Sequence, residues 1–366
     1  MILRLALCVG MFCGSAIAAQ TDPATAAIER LQAAGRSLDA AESAPDPVGA
    51  LVRTIHAYET GMDAMGDGLR AAATREAQLT QALVVQEAEI ARFLMVLQAA
   101  EAAPPVFTVT HPAGPVGAAR AQMLIAEIKP VLSERAAELR IALDELRSLQ
   151  RAQGQAADVL QQALTGGERA RAMLATVMSE RTDLPVHFVE DPVRTAILVS
   201  SVDTLDGFVD GLSQIAAQPI APYPGDASGR KGALDLPVEG EMQQAGDEDG
   251  VIVLARARAL VTSPVSATIR YRGPLLDMGN AVILEPQPDM LIVIAGLREV
   301  LGRAGDVISA GTPIGFMGGN APEIGTILSL SGDATGTLHS EALYMEVREG
   351  GRPVDPATWF RTDKDG

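Results

Sequence analysis

A chain's histidines, cysteines and carboxylates set the chemistry open to it. This one has four histidines, His56, His111, His187 and His339, none with a partner at metal-binding spacing. Both cysteines, Cys8 and Cys13, lie in the first twenty residues, and no Gly-x-Ser-x-Gly elbow occurs. Nucleophilic catalysis therefore lacks its reagents. What the sequence does offer near its C-terminus is a β-prone run that carries Tyr344, Glu346 and Arg348. Tyr344 and Arg348 share parity with Ala342, so in a regular strand they face the same side of a sheet. An arginine so placed can pair with carboxylate or carbonyl groups of a partner, and Tyr and Arg are enriched in protein-binding hot spots. A second candidate set, Val106, Phe107 and Val109, is apolar and stands in a proline-rich break far from any core.

Two long periodic segments must carry that break. Residues 48–97 hold apolar residues at alternating three- and four-residue steps, from Val48, Leu51 and Ile55 through Met65 and Leu69 to Ile90, Phe93 and Leu97. Only Glu76 and Gln86 interrupt the stripe. A second seam runs from Ile125 and Ile128 through Leu139 and Leu146 to Ala156 and Leu160. Sustained 3.5-residue repeats are coiled-coil seams. Two of them joined by one short break predict an antiparallel hairpin with Val106, Phe107 and Val109 at its tip. A shorter helix bearing Ile28, Leu31 and Leu38 precedes Pro45 and Pro47. Another follows Gly166-Gly167 and ends near Asp183-Leu184-Pro185.

Residues 193–215 carry an apolar stripe of Ile197, Leu198, Leu205, Phe208, Val209, Leu212 and Ile215, which predicts one or two short amphipathic helices. A Pro- and Gly-rich linker follows. After Gly240 the pattern turns to short β-prone runs at 251–254, 267–271, 281–284, 290–295 and 343–347, divided by Gly and Pro. The expected fold class is α+β and multidomain. It comprises a leader at 1–19, a coiled-coil hairpin at 20–182, a linker with a candidate regulatory helix at 183–239, and a small all-β domain at 240–366.

The 366 residues suffice for several units, and 3% aromatic content suits long helices better than one large core. A net charge of −17 argues against nucleic-acid and anionic-membrane partners. Arg4, the short apolar run that follows it and Ala16-Ile17-Ala18 read as a secretory signal, so the expected product is exported to the periplasm and does not span the membrane after cleavage.

The C-terminal segment resembles the lysostaphin-like (LytM) zinc peptidases, which cut peptidoglycan crosslinks. Five blocks carry the resemblance in order: Gly250-Val251-Ile252-Val253, Tyr271-Arg272-Gly273, Gly279-Asn280-Ala281-Val282-Ile283, the Gly-Asp-x-Ile-x-Ala-Gly stretch from Gly305 to Gly315, and Leu343-Tyr344-Met345-Glu346-Val347-Arg348 with Pro353-Val354-Asp355-Pro356. A catalytic zinc takes about three protein ligands and an open position. The resemblance puts the family's His-x-Gly-x-Asp ligands at Glu248 and Ile252, and its His-x-His pair at Ala342 and Tyr344. A further inner-strand histidine falls at Gly296. His339, three residues before Ala342, reads as a loop histidine. The expectation is a domain without metal, cofactor or catalysis.

Such a domain behind a coiled coil and a leader resembles the EnvC-type murein hydrolase activators. That resemblance implies an N-acetylmuramoyl-L-alanine amidase as partner in the groove at Tyr344, Glu346 and Arg348. It implies the periplasmic domain of the FtsEX transporter as partner of the hairpin, and a segment at 193–215 that covers the groove; direct binding to peptidoglycan stays open. Two other readings stand beside it: an active zinc endopeptidase, and a structural coiled-coil spacer that binds peptidoglycan.

Overall fold

The structure, a computed structural model, describes residues 23–101, 114–188, 190–215, 227–245, 250–319 and 340–361. The leader, the tip residues Val106, Phe107 and Val109, and Glu248, His111 and His339 lie outside the described residues.

Among the described residues three helices build the N-terminal part: α1 (Pro23–Ala41), α2 (Pro47–Glu101) and α3 (Gly114–Glu180). The predicted seams lie within α2 and α3, which pack on one another, and α1 packs at their base. Leu31 and Leu38 of α1, Leu51, Ile55, Tyr58, Met65 and Leu69 of α2, and Leu160, Leu174 and Met178 of α3 form one buried cluster. Farther along, Arg75 Nε donates to Glu145 at 2.7 Å and Gln153 donates to Glu76 at 3.0 Å, so the polar break at Glu76 is an inter-arm contact. The sequence reading placed a separate helix after Gly166-Gly167, but α3 runs through both glycines and through Pro130. The reason is packing: a Cβ at Gly166 would stand 2.3 Å from the Tyr58 hydroxyl, so the glycine admits that ring rather than ending the helix.

Two short helices follow, α4 (Pro192–Ser201) and α5 (Leu205–Gln214). The Asp191 side chain caps α4 by accepting from the amides of Val193 and Arg194, and the Thr204 side chain caps α5 through Gly207. Gly211 lets Leu198 approach to a distance a Cβ would forbid, which knits the two helices together.

Among the described residues the C-terminal part is an antiparallel sheet of ten strands: β1 (Gly240–Gln244), β2 (Val251–Arg256), β3 (Leu260–Thr262), β4 (Ala267–Pro274), β5 (Asn280–Gln287), β6 (Met290–Val300), β7 (Val307–Ile308), β8 (Pro313–Met317), β9 (Ser340–Glu349) and β10 (Arg352–Val354). Its main order is β1-β2-β9-β6-β5-β4-β7, with β10 on β9, and with β8 joining β3 to β6. One face packs Val253, Ile269, Val282, Ile292, Leu343, Met345, Trp359 and Phe360 into the domain core. Ala227, Leu234 and Val238 join that core, so the end of the stretch read as linker belongs to the β domain. Among the described residues no helix is long and apolar enough to cross a membrane.

Candidate functional site

Strict alternation along β9 sorts its side chains. Leu343, Met345 and Val347 enter the core, while Tyr344, Glu346 and Arg348 line the opposite face. The three polar residues form a ladder. The Tyr344 hydroxyl donates to Glu346 Oε2 at 2.6 Å, and Arg348 Nε donates to the other oxygen, Oε1. Arg348 also donates to the Gly351 carbonyl at 3.4 Å and to the Asp206 carboxylate. Glu346 and Arg348 are buried. Burial works against the guanidinium charge, but its hydrogen bonds to Asp206 and Glu346 offset it and hold the Arg348 pKa above its ordinary value.

The ligand-equivalent positions come together beside this ladder. Ile252 on β2 lies directly opposite Tyr344, and Ala295 on β6 faces Tyr344 from the other side. Gly296 adopts φ +95°, and a Cβ there would sit 2.7 Å from the Ala342 carbonyl oxygen. Gly250 lies under the Tyr344 ring, where a Cβ would be 2.6 Å from the ring atoms. The described positions do not fit zinc. Ile252, Ala342 and Gly296 have no donor atom in their side chains, and the Tyr344 phenol and Glu346 carboxylate are engaged with each other beside a buried cation.

The face does not stand open, because α5 lies on it. Phe208, Val209 and Leu212 are buried against Tyr271, Ala281, Ile283, Val293 and Ala295, with Tyr344, Leu198 and Leu205 at the edge of the cluster. Phe208 meets Tyr271 edge-on, with centroids 4.8 Å apart and planes at 71°. The Tyr271 hydroxyl donates to the Pro274 carbonyl at 2.5 Å, and burial, helped by the charge of Glu190, pushes its pKa up to about 12. Asp206, in the first turn of α5, supplies the carboxylate that meets Arg348. The predicted stripe is divided by this packing: Phe208, Val209 and Leu212 face the sheet, whereas Ile197 points outward with Val193.

The sequence reading missed Asp206, whose only signal was an acid at the start of an amphipathic helix. It also missed a buried junction between the hairpin base and the β domain. Glu59 of α2 accepts from Arg171 of α3 at 3.0 Å and from the Leu260 amide at 3.3 Å, and Arg171 donates to the Arg258 carbonyl at 3.0 Å. Leu260, Leu301 and Phe316 add apolar contact with the hairpin base.

Comparison with known proteins places the sheet in a family. Residues 246–356 match the family described as Peptidase family M23. The C-terminal part of the chain is therefore an M23 domain, the LytM or lysostaphin-like class. An uncharacterised protein of Neisseria meningitidis serogroup B is 24% identical over 155 residues, covering 42% of this chain and 22% of its own length. A zinc-containing peptidase of Vibrio cholerae is similar over 38% of this chain and 41% of its own, with 16% identity and a TM-score of 0.26. The catalytic domain of lysostaphin from Staphylococcus simulans is similar over 36% of this chain and 91% of its own, with 19% identity and a TM-score of 0.23. The chain thus spans about a fifth of the length of the curated relative it matches.

Proposed function

We propose that this protein is an exported, non-catalytic activator of N-acetylmuramoyl-L-alanine amidases that acts in septal peptidoglycan splitting under control of the FtsEX transporter. The observation that carries the reading is the state of the M23 groove. Aliphatic and glycyl residues stand at Ile252, Ala342 and Gly296, and a buried arginine lies alongside them. A groove of that composition binds protein better than it binds a metal or cleaves a peptide.

The mechanism is competition. Helix α5 occupies the face that the amidase would use, and its Asp206 satisfies Arg348 in the partner's absence. Transporter binding to the hairpin favours the open state, in which Tyr344, Glu346 and Arg348 become available. A few kcal/mol of differential binding is enough to reverse such an equilibrium. In this reading the apolar tip at Val106, Phe107 and Val109 meets the transporter, and the protein works in the periplasm without cofactor.

The test compares the full chain with a Phe208→Asp, Leu212→Asp variant, each mixed with a cognate amidase and purified murein. Neither protein alone should solubilise wall. The variant should stimulate the amidase strongly and the parent chain weakly. Chelator-sensitive wall release by the chain alone would overturn the reading.

A further inference from the structure

We infer that Arg270 is a two-ended latch that holds the α4–α5 cover on the groove, an inference that rests on the reading of that cover as inhibitory. The residue owes its position to a fault in the sheet. In the β4–β5 ladder Ile269 pairs with Leu284 and Tyr271 with Ile283, which leaves Arg270 as the extra residue of a bulge. Bulges re-aim side chains. Here Ile269 enters the domain core while Tyr271, two residues on, faces the cover. Regular alternation would have put both on one side.

Thus re-aimed, the Arg270 guanidinium meets the cover at both of its ends. At the exit, Nη2 donates to the Leu212 carbonyl at 3.3 Å and to the Ile215 carbonyl at 3.1 Å. These belong to the C-terminal end of α5, where carbonyls lack intrahelical partners and the helix dipole favours a cation. Helix α5 has no basic residue in its own last turn, so the sheet supplies the charge that the helix sequence omits. At the entry, the guanidinium carbon lies 4.8 Å over the ring of Phe188, in the segment that leads from the hairpin into α4. Glu285 holds the guanidinium from behind, 3.8 Å from Nε.

The entry is itself fastened to the domain edge. The His187 amide donates to the Gly305 carbonyl, and the Val307 amide to the Pro185 carbonyl, both at 2.8 Å. Gly305 (φ +93°) permits this approach, since a Cβ there would sit 2.2 Å from the Phe188 carbonyl oxygen. Residues 185–188 are therefore held at the domain edge, and the part that can swing away follows Phe188. Arg270 bridges that hinge and the far end of the swinging segment, so losing one guanidinium loosens both ends together.

Amide hydrogen exchange on the full chain tests this directly. Arg270→Gln should raise exchange across 205–215 about tenfold while 280–297 stays as in the parent. Unchanged exchange across 205–215 would overturn the latch. Should Arg270→Gln also loosen the sheet, Phe188→Leu decides, because it removes the aromatic seat without touching a strand. Faster exchange confined to 192–215 supports the latch, and parental exchange there overturns it. Amidase stimulation, measured in parallel, separates the two ideas. Faster exchange without added stimulation keeps the latch and removes the inhibitory role of the cover.

Discussion

At the scale of single residues, the groove depends on one buried ion pair more than on any exposed contact. Arg348 neutralises Glu346 where both side chains are buried, and Asp206 completes the set from the covering helix. Truncating Arg348 to alanine leaves Glu346 buried with only the Tyr344 hydroxyl. The expected loss is about 3 kcal/mol of stability, read from denaturant unfolding. That loss would mask any binding effect, so the informative variant is the pair Glu346→Gln, Arg348→Met. It removes both charges and should unfold close to the parent. On the proposed function, its affinity for an amidase should fall about tenfold, as expected on losing a central interface arginine. Parental affinity in the folded double variant would move the binding site elsewhere. Gly296 makes a related point about the groove. With φ +95° and the Ala342 carbonyl in the space of its Cβ, the backbone there takes a side chain such as histidine only with strain.

At the scale of elements, glycines mark close approaches rather than ends. Gly166 inside α3 is the clearest case, since replacing it by alanine improves helix propensity by about 1 kcal/mol yet drives a methyl into Tyr58. The ring is buried and held on several sides, so overpacking should win and Gly166→Ala should lower the thermal midpoint, with a net loss of roughly 1 kcal/mol. A higher midpoint would mean that Tyr58 moves freely. The same glycine shows why the fold was only partly legible. Heptad stripes in α2 and α3, alternation in β2 and β9, and the stripe of α5 all depend on local periodicity, and each was readable. The continuity of α3, the bulge at Arg270 and the entry of Ala227 and Leu234 into the core depend on contacts far apart in sequence. For the groove, Tyr344, Glu346 and Arg348 were legible from strand parity and family likeness. Asp206 and Arg270 were not, because Asp206 meets Arg348 across 142 residues and Arg270 meets the helix end across at least 55.

At the scale of the whole molecule, the question is how an event on the hairpin reaches the sheet. The junction at Glu59 is the physical candidate, because one carboxylate ties α2, α3 and β3 together, and the Glu59 carbonyl accepts from Arg256 at 2.8 Å. Replacing Glu59 by alanine leaves the Leu260 amide unpaired and the buried Arg171 guanidinium with only the Arg258 carbonyl and the more distant Glu168, at a cost of about 3 kcal/mol. Since the lost contacts bridge two parts, the damage should appear as uncoupling. Calorimetry of the parent should give one unfolding transition in which hairpin and β domain melt together, and Glu59→Ala should give two. A single transition in the variant would mean that the apolar contacts of Leu260, Leu301 and Phe316 carry the coupling alone.

His56 adds a pH signature to the same junction. Its Nδ1 lies 3.5 Å from Glu59, and the hydrogen bond to Glu59, stronger than the opposing effect of burial and aided by Glu239, raises its pKa above 6.5. A histidine raised on folding stabilises fully below its unfolded pKa and loses that contribution as pH rises through the folded one. Stability of the parent should therefore decline as the pH climbs from about 6.5 through the raised pKa of His56. His56→Gln should flatten that decline without splitting the transition, since the glutamine leaves the Arg171 and Leu260 contacts to Glu59 in place. A decline of the same steepness in His56→Gln would assign the pH dependence to a group outside this junction.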